Sequence, residues 1–395
     1  MKSTITISGA GCCLVDQIYP DICFSDPDVA QYMSRTKGDG GLHPGRLVFS
    51  EQFESFAGTG LQVAIDEISR NRTKPTFNVG GPSVVALIHA AQLLQNSSAE
   101  VRFFGVRGND AAGHFLQEKL DQTPVLLDHF RMAEGHTPST IVLSDPSFNQ
   151  GHGERMFVNS IGAAWEVTSE DLDDGFFNAD IVVFGGTALV PGLHDHLTEL
   201  VQRAKSTGCL TVVNTVYDFR SELENPGKRW PLGKSDESYR HIDLLIMDSE
   251  EAQHLSGTPD LMEAGNYFMH QGVSSFIITN GTEDTFCYSD GNLFNSMSRR
   301  TYPVSDDLIG NTRNFKGGDT TGCGDNFVGG VLASLAWQLE EEDRQPDLEE
   351  CISWGTVSGG YCCFHVGGTF IEMEQGEKLE LIRPYYSNYM KQIHG

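Results

Sequence analysis

The residues best suited to chemistry lie in one stretch, Gly317-Gly318-Asp319-Thr320-Thr321-Gly322-Cys323-Gly324-Asp325-Asn326-Phe327, directly ahead of an apolar run over residues 328–337. The pattern predicts a glycine-rich turn that opens a buried helix. The first N–H groups of a helix have no intrahelical acceptor and carry partial positive charge, so they act on whatever lies in front of them. Gly322, Cys323 and Gly324 are small enough to let an anion reach that backbone. Asp325 stands beside this cradle. A carboxylate is a poor neighbour for a bound phosphate, but a suitable base for a hydroxyl that loses its proton while attacking a phosphoryl group. The competing reading makes Asp319 or Asp325 a helix cap and the glycines a tight turn. The length of the Asp-Thr-Thr-Gly-Cys-Gly-Asp string, set before a buried helix, favours the catalytic reading.

Three further places carry candidate chemistry. Gly80-Gly81 steps from Phe77-Asn78-Val79 into an amphipathic helix, and a ligand can touch backbone at such a step. Asp248 and Glu251 follow the apolar Leu244-Leu245-Ile246-Met247, and their i, i+3 spacing puts both carboxylates on one side of a helix start. Oxygen ligands of this kind suit Mg²⁺, which is held by few carboxylates and keeps most of its waters. The same pair would also serve as a capping box, and the two roles are compatible. Thr279-Asn280-Gly281 ends another strand, where open α/β sheets place ligands.

The 319–325 string resembles the C-terminal signature of the ribokinase-like (PfkB-type) carbohydrate kinases, with Cys323 where alanine is most usual. Weaker likenesses follow in the family's order along nearly the whole chain. They are the turn from Gly9 to Asp16, the Gly80-Gly81 pair, the Gly105-x-x-Gly108-x-Asp110-x-x-Gly113 segment, Gly153-Glu154-Arg155, and Asp248-x-x-Glu251 in place of Asn-x-x-Glu.

This resemblance implies an ATP-dependent kinase that transfers the γ-phosphate to a hydroxyl of a sugar or sugar-like polyol. It implies Asp325 as the base and the 322–324 amides as the anion hole. Asp16, Gly80 and Gly81 would hold the acceptor, and Thr279, Gly281 and Thr320 the nucleotide. Asp248 and Glu251 would organise Mg²⁺, while Asp319 and Thr321, with a carbonyl near Gly367, would hold K⁺. The family's usual asparagine four residues after the second glycine is replaced by Val85. Alternatives of the same fold are a nucleoside kinase and a sugar-phosphate kinase, for which Arg107 is the candidate phosphate reader. A non-catalytic sugar or nucleotide sensor is the alternative of another class.

Composition narrows the partners. A formal charge of −27 argues against nucleic acid and anionic membranes, which need a basic face. No apolar run approaches ~20 residues, and the N-terminus reads as a strand and not as a secretion signal. Nine cysteines without regular spacing, two pairs of them vicinal and none in Cys-x-x-Cys, fit reduced thiols in the cytoplasm. The lone loop histidine His152 has no evident metal partners. A dinucleotide fingerprint would need a third glycine after Gly9 and Gly11, and no Gly-x-x-x-x-Gly-Lys-Ser/Thr occurs.

The elements that position these residues read as alternating strands and helices. Strands are expected over 4–9, 101–105, 139–144, 154–158, 180–184, 210–214, 243–247 and 275–279, and helices over about 192–206, 249–256, 260–271 and 350–366. A hairpin is expected over 284–300, and a helix from Thr168. Such alternation predicts a doubly wound, mostly parallel sheet. The resemblance adds a three-layer α/β/α sandwich with a small β lid. The whole chain, 1–395, is expected to form one domain, with a lid or insertion at about 20–75 and a contribution from about 137–160. That insertion is long enough to build either an extended lid or a homodimer contact.

Overall fold

The computed structural model describes residues 4–36, 38–70, 74–151, 153–312, 320–341 and 344–395. Fourteen strands are numbered here in chain order. β1 (Thr6–Gly11), β5 (Glu100–Arg107), β6 (Leu126–Met132), β9 (Ile181–Gly185), β10 (Leu210–Asn214), β11 (Leu244–Asp248), β12 (Ser275–Asn280), β13 (Glu283–Ser289) and β14 (Met297–Tyr302) form one sheet. Its order is β14-β13-β12-β11-β10-β9-β1-β5-β6. The strands from β6 to β12 are parallel, and only the β12-β13-β14 edge is antiparallel.

Buried parallel strands are apolar on both faces, and alternate residues therefore serve different cores. On β9, Ile181 and Val183 enter one hydrophobic cluster while Val182 and Phe184 enter the other. The first cluster lies under the helices Pro82–Leu94, Ala111–Leu120, Cys323–Leu339, Leu348–Cys362 and Glu377–His394. The second lies under Leu197–Thr207, Ser249–Ser256 and Leu261–Gln271. The expected three layers are present.

A second, five-stranded sheet has the order β3-β8-β7-β2-β4, built from β2 (Leu14–Tyr19), β3 (Leu47–Phe49), β4 (Thr76–Gly80), β7 (Ser139–Asp145) and β8 (Glu154–Ser160). Helices Ser50–Ala57 and Leu61–Ile68 bury Phe53, Ala64, Ile65 and Ile68 against Ile141, Leu143, Met156 and Val158 of this sheet. The 20–75 segment is thus largely a helical cover with its own apolar core.

Several expectations change. Asp16 sits on strand β2 and not in a turn, because β1 ends at Gly11 and only Cys12-Cys13 separate the two strands. Gly11 has φ +142°, and a side chain there would strike the Gly185 carbonyl. β6 was not anticipated. The helix expected at Thr168 is one 3₁₀ turn, Ser169–Asp171, although Thr168 and Asp171 do form its capping box. His152 and Asp319 lie outside the described residues.

Candidate active site

β1, β9, β10, β11 and β12 end on one edge of the large sheet, and the candidate residues gather there and on the adjoining second sheet. This is the carboxyl edge of an open parallel sheet, where doubly wound folds hold ligands.

The helix Cys323–Leu339 begins as its sequence predicts. Gly322 caps it at φ +75°, with no side-chain cap, and a Cβ there would collide with Gly368. Asn326 fixes this start: its N–H donates to the Gly322 carbonyl at 2.9 Å, and its side-chain amide donates to the carbonyls of Gly322 and Gly368 at 2.8 Å each. The Cys323 N–H reaches only the Thr320 carbonyl, at 3.4 Å. Among the described residues the amides of Gly322 and Gly324 meet no acceptor, and nothing lies within 4 Å of a Cβ placed on Gly324. An unsatisfied, accessible amide at a helix start is what an anion needs.

Asp325 lies in the first turn of the same helix and is partly exposed. Burial pushes its carboxyl up from the ordinary 3.8 to about 6. Its charge is felt by two other groups. One is Cys12, whose thiol is pushed up by burial first, then by Cys13, Asp325 and Asp16. The other is Glu251. Asp16, Cys12, Asp325 and Glu251 therefore share one patch of field, although they come from β2, the β1–β2 turn and two different helices.

Asp16 is buried, and its carboxylate lies directly against Gly80, where a Cβ would collide with Oδ2. Gly81, at φ +106°, allows the chain to pass within contact of the Cys12 carbonyl, which would stand 2.6 Å from a Cβ. β4 is pinned to the loop after the helix Leu348–Cys362: the Asn78 side chain donates to the Val366 carbonyl at 3.0 Å, and Thr369 Oγ1 donates to the Val79 carbonyl at 2.9 Å. Val85 packs against Gly368, 3.3 Å from a Cβ placed there. A methyl group thus supports this loop where a polar side chain was expected.

Asp248 and Glu251 form a complete capping box. Asp248 Oδ1 accepts from the Glu251 N–H at 2.8 Å, and Glu251 Oε2 accepts from the Asp248 N–H at 3.0 Å and from Thr215 Oγ1 at 2.6 Å. Each carboxylate keeps one oxygen outside these bonds. Burial, then Asp248, then more weakly Asp325, push Glu251 up to about 8, against the pull of its hydrogen bonds. Asp248 is raised as well, chiefly by desolvation. A cluster of carboxylates that resists ionisation, with hard oxygen donors to spare, fits a divalent cation. Thr279 is the register partner of Asp248 across β11 and β12, and Gly281 follows in an exposed turn at φ +60°.

Two groups escaped the sequence. Asn214, at the end of β10, is buried, and its Oδ1 has no hydrogen-bond partner among the described residues. Arg155, on β8, donates to the hydroxyls of Thr320 and Thr321 and so brings a guanidinium from the second sheet to the glycine-rich turn. Arg107 instead donates to Gln117 and to the Gly108 carbonyl at 3.1 Å each. The Thr321 hydroxyl and the 366–368 backbone are close to the helix start, but the carbonyls of Val366 and Gly368 already accept amide protons.

Chemically, the patch joins an accessible amide at a helix start, a carboxylate of raised basicity, a pair of carboxylates with an oxygen each to spare and a buried Asp. Such a set can position an alcohol, remove its proton and stabilise negative charge arriving opposite.

Residues 64–375 match the family model described as pfkB family carbohydrate kinase. The chain is 25% identical over 326 residues to the probable chloroplastic fructokinase-6 of Arabidopsis thaliana, covering 79% of this chain and 76% of that one. It is 23% identical over 324 residues to the fructokinase of Vibrio alginolyticus, covering 80% and 96%. Among solved structures, the Arabidopsis thaliana ribokinase complexed with ribose and ATP aligns with a TM-score of 0.61 at 16% identity, over 97% of this chain and 99% of that one.

Proposed function

The chain belongs to the pfkB family of carbohydrate kinases, and from that premise we propose how its own residues carry phosphoryl transfer from ATP to a sugar hydroxyl. The observation that carries the reading is the pairing of Asp325 with the open Gly324 amide at one helix start. Asp16 accepts hydrogen bonds from the acceptor's hydroxyls, and Gly80 and Gly81 let the sugar lie against backbone. Asp325 takes the proton of the attacking hydroxyl. A base titrating near 6 is ionised at neutral pH yet basic enough to help a late proton transfer. The amides of Gly322, Cys323 and Gly324 stabilise charge on the transferred phosphoryl group.

Thr279, Gly281 and Thr320 line the nucleotide side, and Arg155 offsets phosphate charge beside Thr320 and Thr321. Asp248 and Glu251 would hold Mg²⁺, directly or through its waters, and would so supply positive charge to offset that of the phosphates. Potassium belongs to the same proposal, held by Asp319, Thr321 and the Gly367 carbonyl. The chain is read as one kinase domain in which the second sheet, with its helical cover over 50–68, closes over the acceptor as a lid.

One of the relatives above is a fructokinase and another carries the name probable fructokinase, so fructose is the first acceptor to test. ADP release should be measured over a panel of ketoses, aldoses, sugar acids, sugar phosphates and nucleosides. Turnover with a free sugar supports the reading. ADP release with nucleosides alone would replace the acceptor, and none with any acceptor would leave a non-catalytic binding protein.

Among the described residues no helix is long and apolar enough to cross a membrane.

A further inference from the structure

Three cysteines converge where the glycine-rich turn meets the end of the helix Leu348–Cys362. Cys323 is the first residue of the helix that opens at Gly322, and its Sγ lies 3.3 Å from Cys363 Sγ. Cys362 is buried beside them, donating to the Thr321 carbonyl at 3.4 Å and accepting from the Asn326 side chain at 3.3 Å. Cys323 and Cys363 are both partly exposed, and none of the nine cysteines is disulfide-bonded. The contact joins two backbones that already touch: a Cβ on Gly359 would stand 2.8 Å from the Cys323 carbonyl oxygen. Neither thiol has a role in the transfer chemistry, which uses the Cys323 amide and not its side chain.

We propose that Cys323 and Cys363 are a modification site, closing to a disulfide when the protein meets a peroxide and reopening when it meets a thiol reductant. One thiolate attacks a peroxide oxygen; the O–O bond breaks, leaving a sulfenic acid and a hydroxide that takes up a proton. The second thiol then gives up its proton, forms the S–S bond and displaces the sulfenic oxygen as water. Two thiols lose two electrons, and one hydrogen peroxide becomes two waters.

The bond has a mechanical consequence. A disulfide needs an S–S distance of about 2.05 Å, so the two sulfurs must approach by about 1.2 Å. One end of that movement is the residue whose amide lies between Gly322 and Gly324. Displacements near 1 Å in a positioned site cost about a hundredfold in rate, so closure switches the site off. The effect on turnover rests on the kinase reading; the cross-link itself does not.

The test uses the full chain treated with a modest excess of hydrogen peroxide, followed by peptide mapping and ADP-release assays before and after dithiothreitol. The expected map links the Cys323 and Cys363 peptides with loss of two hydrogens. Turnover should fall at least about tenfold and return on reduction. Cys363→Ser should keep basal turnover and lose the reversible inhibition. A map showing Cys323 as a thiol, or linked to Cys362, overturns the proposal; so does a Cys323–Cys363 link that leaves turnover unchanged, or equal reversible inhibition of Cys363→Ser. If that variant fails to fold, the map and the reductant recovery of the unmodified protein decide. If no acceptor is ever phosphorylated, the kinase reading fails, while the map still upholds or overturns the cross-link.

Discussion

Replacing Asp325 by asparagine should stabilise the fold at neutral pH. Burial raises this carboxyl from 3.8 to about 6, because water that would solvate the ionised form is excluded. In the unfolded chain the group returns to its ordinary value. Between those two values the unfolded chain has released a proton that the folded protein still holds, so stability falls as pH rises. Below about 4 both states are largely protonated and the cost is absent; above about 6 the folded protein carries all of it. A shift of about two units corresponds to a ceiling of about 3 kcal/mol. Partial exposure and solvent screening reduce that to about 1–2 kcal/mol. Asparagine has nearly the same shape and no charge, so the variant should gain this amount near pH 8, or about 1–3 °C in midpoint for a chain of this length. Scanning calorimetry of both proteins without nucleotide or metal, from about pH 4 to pH 8, reads it. The predicted result is a difference that opens between about pH 4 and pH 6 and levels off above that. A constant offset, or a variant less stable at pH 8, would refute the claim that Asp325 is held at the expense of stability.

Gly80→Ala should push the Asp16 carboxylate away from its seat, since a Cβ at position 80 collides with Oδ2. Initial-rate kinetics should show KM for the acceptor raised about tenfold or more with KM for ATP little changed; equal changes in both would remove Asp16 from the acceptor site. Glu251→Gln keeps an oxygen able to accept from the Asp248 N–H and Thr215 Oγ1, so the helix start should survive. The Mg²⁺ concentration for half-maximal rate should rise about tenfold or more, whereas an unchanged Mg²⁺ dependence would leave the pair with its capping role alone.

Much of the fold was readable because buried parallel strands announce themselves. Leu210–Asn214 and Ser275–Asn280 fall where the apolar runs placed them, and the helix at Ser249–Ser256 follows from its Asp248 cap. Among the strands not anticipated, β6 and β2 give no such signal. β6 is an edge strand with most of its side chains solvated, so Leu126–Met132 does not alternate. β2 is separated from β1 by only two residues, and the glycines before it read as a longer turn.

The site divides in the same way. Its Gly322–Asp325 core and the Asp248–Glu251 pair are local in sequence, so spacing revealed them. Arg155 meets Thr320 and Thr321 across 165 and 166 residues, and Cys323 meets Cys363 across 40. No periodicity encodes such meetings, which arise only when the second sheet and the helix ends are packed. The polar Asn214 at the end of an apolar strand was the one missed signal that a strand-end rule could have caught.

The central claim is that the carboxylate at the start of the Cys323–Leu339 helix deprotonates the acceptor. It is tested most directly by kcat/KM for the sugar acceptor, measured across pH for the unmodified protein and for Asp325→Asn, with ATP affinity measured alongside by calorimetry. The account predicts an acid limb near pH 6 in the unmodified protein. The variant should bind ATP with little change, turn over about a thousandfold more slowly, and show no such limb. A variant that binds ATP and keeps most of its turnover would contradict it.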